Sequence, residues 1–205
     1  MTARSLAVLR MAAVGLLAAC ASNKPALDLG PVPSGVSLDA RIQYYDVSAA
    51  TLTELRAAMR RQGPKWEGRT WQAVTTSDLH WTFQIRRLSA SCEIRDARVQ
   101  MRTVVVFPRW TPSAEPDSSM TEWWRQLNAG LVEHEKGHAL ISLRTAGEIV
   151  HDLGTVMHSC GDIGAFANAR AQRLLQESRT KQAEYDVTTR HGALQIQQAG
   201  RLQEP

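Results

Sequence analysis

Hydrophobic positions along the chain keep two rhythms, alternation in the first half and three-and-four spacing in the second. Arg41 to Val47 alternates and carries Tyr44 and Tyr45, which predicts a strand. Thr51-Leu-Thr-Glu54 has the form of a capping box, with Leu52, Leu55 and Met59 at helical spacing, and Gly63-Pro64 stops that helix. Thr70 to Thr76, His80 to Leu88 and Cys92 to Phe107 are rich in Val, Ile, Thr and Trp and predict three or four antiparallel strands. Pro108 to Ser118 reads as a loop. Ser119-Met-Thr-Glu122 is a second capping box, opening a helical pattern that reaches Leu153. Within it Trp123, Leu127, Leu131, His134, His138 and Ile141 recur on one face. Gly154 ends the pattern, and a last helix is predicted from about Ala165 to Glu184, followed by Tyr185-Asp186 and a polar tail. Strands first and helices later give an α+β fold: a small antiparallel sheet, a long helix and a C-terminal helix.

Composition narrows the class. The chain has 205 residues, 43% hydrophobic and 21% charged, which suits one soluble domain and excludes a disordered, collagen-like or multi-pass membrane chain. A net charge of +4 is too weak to argue for nucleic acid, and no nucleic-acid partner is expected. Arg56, Arg60, Arg61, Lys65 and Arg69 form a basic cluster, a solvated face that an anionic envelope polymer could also use. Residues 1–19 have a basic start, a short apolar run and small residues before Cys20, the form of a secretory signal. Leu17-Ala-Ala-Cys20 looks like a bacterial lipobox, so Cys20 is expected to carry lipid and anchor the protein to a membrane without spanning it. Ala21 after that Cys favours the outer membrane, facing the periplasm. Residues 20–38 collect Pro, Ser and Gly and read as a flexible tether, leaving 39–205 as the domain. With Cys20 taken by lipid, Cys92 and Cys160 remain in an oxidising compartment, and two cysteines make one disulfide.

The chemistry concentrates in His134-Glu-Lys-Gly-His138, an H-E-x-x-H pattern inside the strongest helical stretch. Residues four apart share a helix face, so both imidazoles reach one zinc ion, and Glu135 stands beside them as general base. A third ligand is required. Glu148 and His151 lie about 15 and 20 Å farther along the same helix, out of reach. His158, Asp162, Glu177, Glu184, Asp186 and His191 remain, and the residues alone do not choose among them. Asp46 reads as a turn or cap residue, and His80 as half-buried in the sheet.

From about Tyr45 to Gly192 the chain resembles the bacterial domain-of-unknown-function family 922 (DUF922), described as predicted secreted zinc-dependent proteases. The residues carrying the resemblance are Tyr45-Asp46-Val47, Gly63-Pro64, the region from Thr75 to Trp81, Cys92, Pro108-Arg-Trp110, the H-E-x-x-H motif and Tyr185-Asp-Val-Thr-Thr-Arg-His191-Gly192. The last is similar to the family's Y-D-x-x-T-x-H-G signature; the Q-G that follows in the family is only half kept, as Gln195-Ile196. That signature implies His191 as third zinc ligand, with Asp186 as alternative ligand or as acceptor of a ligating histidine's N–H. It also implies Tyr185 as hydroxyl donor to the oxyanion formed at a carbonyl. The expectation is a zincin-like, lipid-anchored periplasmic metallohydrolase with Zn2+ as cofactor, a peptidase acting on protein or peptide. The alternatives are a peptidoglycan amidase or endopeptidase, and a non-catalytic envelope lipoprotein with a structural zinc.

Overall fold

The computed structural model describes residues 27–201. The leader of residues 1–19, Cys20 and the first part of the tether lie outside the described residues. Within them the fold is α+β. Strand β1 spans Val36–Ala49 and is followed by helix α1, Leu52–Gln62. A small hairpin pairs β2, Lys65–Trp66, with β3, Arg69–Thr70. The long strands β4, Val74–Arg87, and β5, Cys92–Pro112, come next. Helix α2 runs over Ser118–Gly154, β6 is Met157–His158, α3 is Ile163–Thr189 and α4 is Ala193–Arg201.

The main sheet has the order β1-β5-β4, with β6 pairing the start of β5. Strands β4 and β5 are antiparallel, but β1 lies parallel to β5, Val36 opposite Val99 through Ala49 opposite Pro112. The sheet is therefore mixed, not antiparallel throughout as expected. Alternation marks a strand's buried face and says nothing of its neighbour's direction. The sheet turns Leu79, Val99, Met101 and Val105 toward α2, while Asp78 opposite Arg102 and His80 opposite Gln100 face solvent. His80 is thus exposed, not half-buried. Asp46 is neither a turn nor a cap: Arg109 donates to both its carboxylate oxygens, at 2.6 and 2.9 Å, across the β1–β5 pair.

Both predicted helix starts occur, one with a different cap. Thr51 caps α1, with the Glu54 carboxylate accepting from the Thr51 and Ala50 N–H groups. Helix α2 is capped instead by Asp117, whose carboxylate accepts from Met120 N–H at 2.7 Å and from the Ser119 hydroxyl at 2.7 Å. An anionic cap at this position also complements the helix dipole, which Ser119 cannot do. Strand β5 runs on to Pro112, so the loop before α2 shrinks to residues 113–117. The described part of the tether is not free. Leu29, 6% exposed, packs with Met101, Ala139 and Leu143, and Leu27 lies beside it. Two leucines among the breakers supply apolar anchors over the seam between sheet and α2.

Helix α2 has 37 residues, about 55 Å at the usual rise. Helix α3 returns along it antiparallel, as successive contacts show: Asp152 with Arg170, Thr145 with Ser178, His138 with Gln182, and Gly137 with Tyr185. Cys92 and Cys160 form the expected disulfide, joining β5 to the segment before α3 across 68 residues. Helix α3 extends beyond the predicted Glu184 to Thr189, so Tyr185 and Asp186 are helical. Helix α4 was not foreseen. It seats Ile196 directly on Gly130, where a Cβ would stand 2.5 Å from the Ile196 backbone.

Candidate metal centre

His134 and His138 lie one turn apart on α2, and Asp186 reaches them from the last turn of α3. His134 Nε2 and His138 Nε2 are 3.2 Å apart. Asp186 Oδ1 is 3.3 Å from the first and 3.2 Å from the second. Ligand atoms 2.0–2.1 Å from a tetrahedral zinc stand about 3.3–3.4 Å from one another, so the three atoms have the spacing of one face of that polyhedron. Among the described residues, this is the group of His, Cys, Asp and Glu side chains with donor atoms close enough to hold one ion.

The neighbours fix which atoms bear lone pairs. Gln182 Nε2 donates to His138 O at 3.0 Å and to Ser142 Oγ at 3.1 Å, which leaves its amide oxygen facing the imidazole. His138 Nδ1–H therefore donates to Gln182 Oε1 at 2.5 Å, and Nε2 carries the lone pair. The Thr189 hydroxyl donates to Tyr185 O at 2.7 Å and meets His134 Nδ1 at 3.4 Å as acceptor. Both Nε2 atoms and the Asp186 oxygen thus aim lone pairs at one point, an arrangement that repels itself until a cation occupies it. Burial, reinforced by His138, pushes the pKa of His134 down to about 4, so it stands neutral and ready to ligate at pH 7.

Glu135 follows His134 on α2, and the Thr75 hydroxyl on β4 donates to its backbone carbonyl at 3.1 Å. The residue is 4% exposed, and its Oε2 is buried without a hydrogen-bond partner. Burial raises its pKa, while hydrogen bonds from Thr75 oppose the rise. A buried carboxylate oxygen without a donor is costly unless water, ion or substrate completes it. The donor set of two imidazoles and one carboxylate suits zinc, and Glu135 feels the charges of His138 and Asp186.

The end of α3 closes the site. Arg190 and His191 both have left-handed backbones, with φ of 52° and 51°, followed by Gly192 at 84°. The first two cost about 1–2 kcal/mol each, and the turn is held by His191 N–H donating to Asp186 O at 2.8 Å. Gly192 is needed here, because a Cβ would stand 3.1 Å from the His134 ring. Tyr185 stacks on His134 at 5.2 Å and meets His138 edge-on at 5.0 Å. Its hydroxyl lies over Gly137, accepts from Gln195 Nε2 at 3.2 Å, and is pushed up in pKa by burial.

Of the expected site residues, the structure brings together His134, Glu135, His138, Asp186 and Tyr185. His191 stands one step outside the three-atom group. Its Nδ1 is 3.5 Å from Asp186 Oδ1, its side chain is 52% exposed, and its ring packs on Trp71 at 5.3 Å. Asp186 is nearer because α3 continues through it, directing its carboxylate at the motif face, while His191 falls past the helix end. His158 stacks on Phe166, and the Asp162 carboxylate accepts from Ser159 Oγ at the start of α3, both at the disulfide end. Glu177 and Glu184 are exposed. Sequence reasoning missed Gln182 and Thr75. Gln182 lies four residues before Asp186, the same-face spacing that could have found it; nothing local marks Thr75.

The family model described as "Bacterial protein of unknown function (DUF922)" matches residues 42–192. No curated protein and no solved structure matches the chain.

Proposed function

The chain belongs to the bacterial family of unknown function DUF922, and from that premise we propose that it is a zinc-dependent metallohydrolase, a peptidase that cleaves amide bonds with metal-activated water. The observation carrying this reading is the convergence of lone pairs from His134, His138 and Asp186, with Glu135 next to His134 on the same helix and its Oε2 buried without a partner. Zinc held by these three supplies a Lewis acid and brings the pKa of water at its open position to about 7. Glu135 Oε2 takes the proton of the attacking water and later returns it to the leaving amine. Burial raises the pKa of Glu135, which favours its holding the proton between the two transfers. Gln182 and Thr189 keep the imidazole protons on the Nδ1 side, away from the ion. Tyr185 supports the two rings; its hydroxyl is engaged with Gln195, which fits a packing role better than oxyanion stabilisation. The motif helix against a sheet is read as zincin-like. A peptidoglycan amidase would use the same residues.

A second reading, an envelope lipoprotein with a structural zinc, requires a fourth protein ligand, and His191 beside Asp186 is placed to approach that role. Export and lipid anchoring through Cys20, toward the outer membrane and the periplasm, belong to the same proposal. The Cys92–Cys160 disulfide supports an oxidising compartment.

Metal content and hydrolysis, measured together on casein and on peptidoglycan fragments, test the reading. The wild type is expected to hold about one zinc per chain and to cleave one of the two substrates. Glu135→Gln is expected to keep the metal and lose about 10²–10⁴-fold in rate. A Glu135→Gln protein as active as the wild type, or a zinc-loaded wild type inert toward both substrates, contradicts it.

A further inference from the structure

The metal centre leaves the strongest charge feature of the chain unused. Residues 52–71 carry five basic side chains against two acidic ones, +3 of the chain's net +4. Arg56, Arg60 and Arg61 lie on α1, and Lys65 and Arg69 on the β2–β3 hairpin. Trp71 N–H donates to Pro64 O at 2.9 Å, and Gly63 lies tight against the Trp71 carbonyl, so the hairpin closes onto the end of α1. All five cations are exposed, and none has an ion-pair partner among the described residues, whereas Arg41, Arg86, Arg109 and Arg125 are each paired. Of the two acids, Glu54 is committed to capping α1, which leaves Glu67 at the hairpin tip. Between the cations stands Trp66, 52% exposed and opposite Arg69 across the hairpin. Glu67 and Gly68 both have positive φ, the tight turn that makes this hairpin a short, projecting element.

A face that only keeps a protein soluble has no use for a half-exposed indole among its cations. Cations that meet phosphates, with an amphipathic ring at headgroup depth, fit the surface of an anionic bilayer. A single-stranded polyanion would instead call for a groove and successive stacking rings. We propose that α1 and the β2–β3 hairpin form a docking surface for a bilayer carrying anionic lipid headgroups, with Trp66 seated at the interface. Trp71, on the same hairpin, rests against His191, so docking holds the rim of the metal centre beside the membrane surface. The surface stands whatever the metal centre does.

Co-sedimentation of the full-length protein with vesicles tests this, using phosphatidylcholine alone and phosphatidylcholine with roughly a third phosphatidylglycerol, at low and at high salt. The N-terminal segment is itself basic, with Arg4, Arg10 and Lys24, so the surface is read from the part of the difference that substitutions on α1 and the hairpin remove. Partitioning is expected to be at least about tenfold higher on the anionic vesicles and to fall with salt, each neutralised cation costing about fivefold. Arg60→Glu with Arg61→Glu is expected to remove most of the difference, and Trp66→Ala to reduce it, with the fold of each variant checked by far-ultraviolet circular dichroism. Equal partitioning on the two vesicles overturns the proposal. So does an unaltered preference in the Arg60→Glu, Arg61→Glu protein.

Discussion

Three acceptor atoms 3.2–3.3 Å apart aim their lone pairs at one point because other side chains dictate their protonation. Gln182 does this for His138, as its amide nitrogen is occupied by His138 O and Ser142 Oγ. Gln182→Ala is therefore expected to lower zinc affinity about 10–100-fold while leaving the helices intact, measured by competition with a chromophoric chelator. An unchanged affinity would show that ring orientation is set elsewhere. Gly137, inside the motif, has a different duty. A Cβ there would stand 2.1 Å from the Tyr185 hydroxyl, whose ring is stacked on His134. Gly137→Ala gains about 1 kcal/mol in helix propensity yet is expected to destabilise by about 1–3 kcal/mol net. Urea denaturation yielding a more stable protein would remove Tyr185 from this packing role.

At the scale of elements, what could be read from sequence depended on whether the cause was local. The Thr51–Glu54 capping box lies within four residues and was legible. The second box was not, because Asp117 competes for the same N–H groups with a charge that Ser119 lacks. Strands could be seen by alternation, but β1 lies parallel to β5 through contacts more than sixty residues apart, which no local pattern encodes. The motif helix and its two histidines were legible because 3.6-residue periodicity is itself geometry. The choice between Asp186 and His191 was not, because it turns on where α3 ends, five residues later than expected. Helix α4 escaped because its contacts, Ile196 on Gly130 and Gln195 on Tyr185, are made with other elements. The disulfide is an element-scale staple at the end of the described residues away from the candidate metal centre. His134 lies 18 residues from Asp152 on α2, about 27 Å along the axis. Replacing Cys92 and Cys160 by Ser is expected to cost about 4 kcal/mol in the chain-entropy account of a 68-residue loop, with zinc content unchanged. Loss of zinc together with the bridge would show that the two ends are coupled.

Across the whole molecule, the sheet and α2 form one layered body, and α3 carries Asp186 back to the middle of α2. The candidate metal site thus joins two helices whose chain positions are 48 residues apart. An ion bound there stabilises the folded chain by mass action, about 2.7 kcal/mol when free zinc is a hundredfold above its dissociation constant. Removing it with a chelator is expected to lower the thermal midpoint of the wild type and to leave that of His138→Ala unmoved. The most direct test of the central claim is a zinc titration by calorimetry on wild type, Asp186→Ala and His191→Ala under identical conditions. The account predicts one tight site in the wild type, its loss in Asp186→Ala, and its retention in His191→Ala. Loss in His191→Ala with retention in Asp186→Ala, or no binding by the wild type, would contradict it.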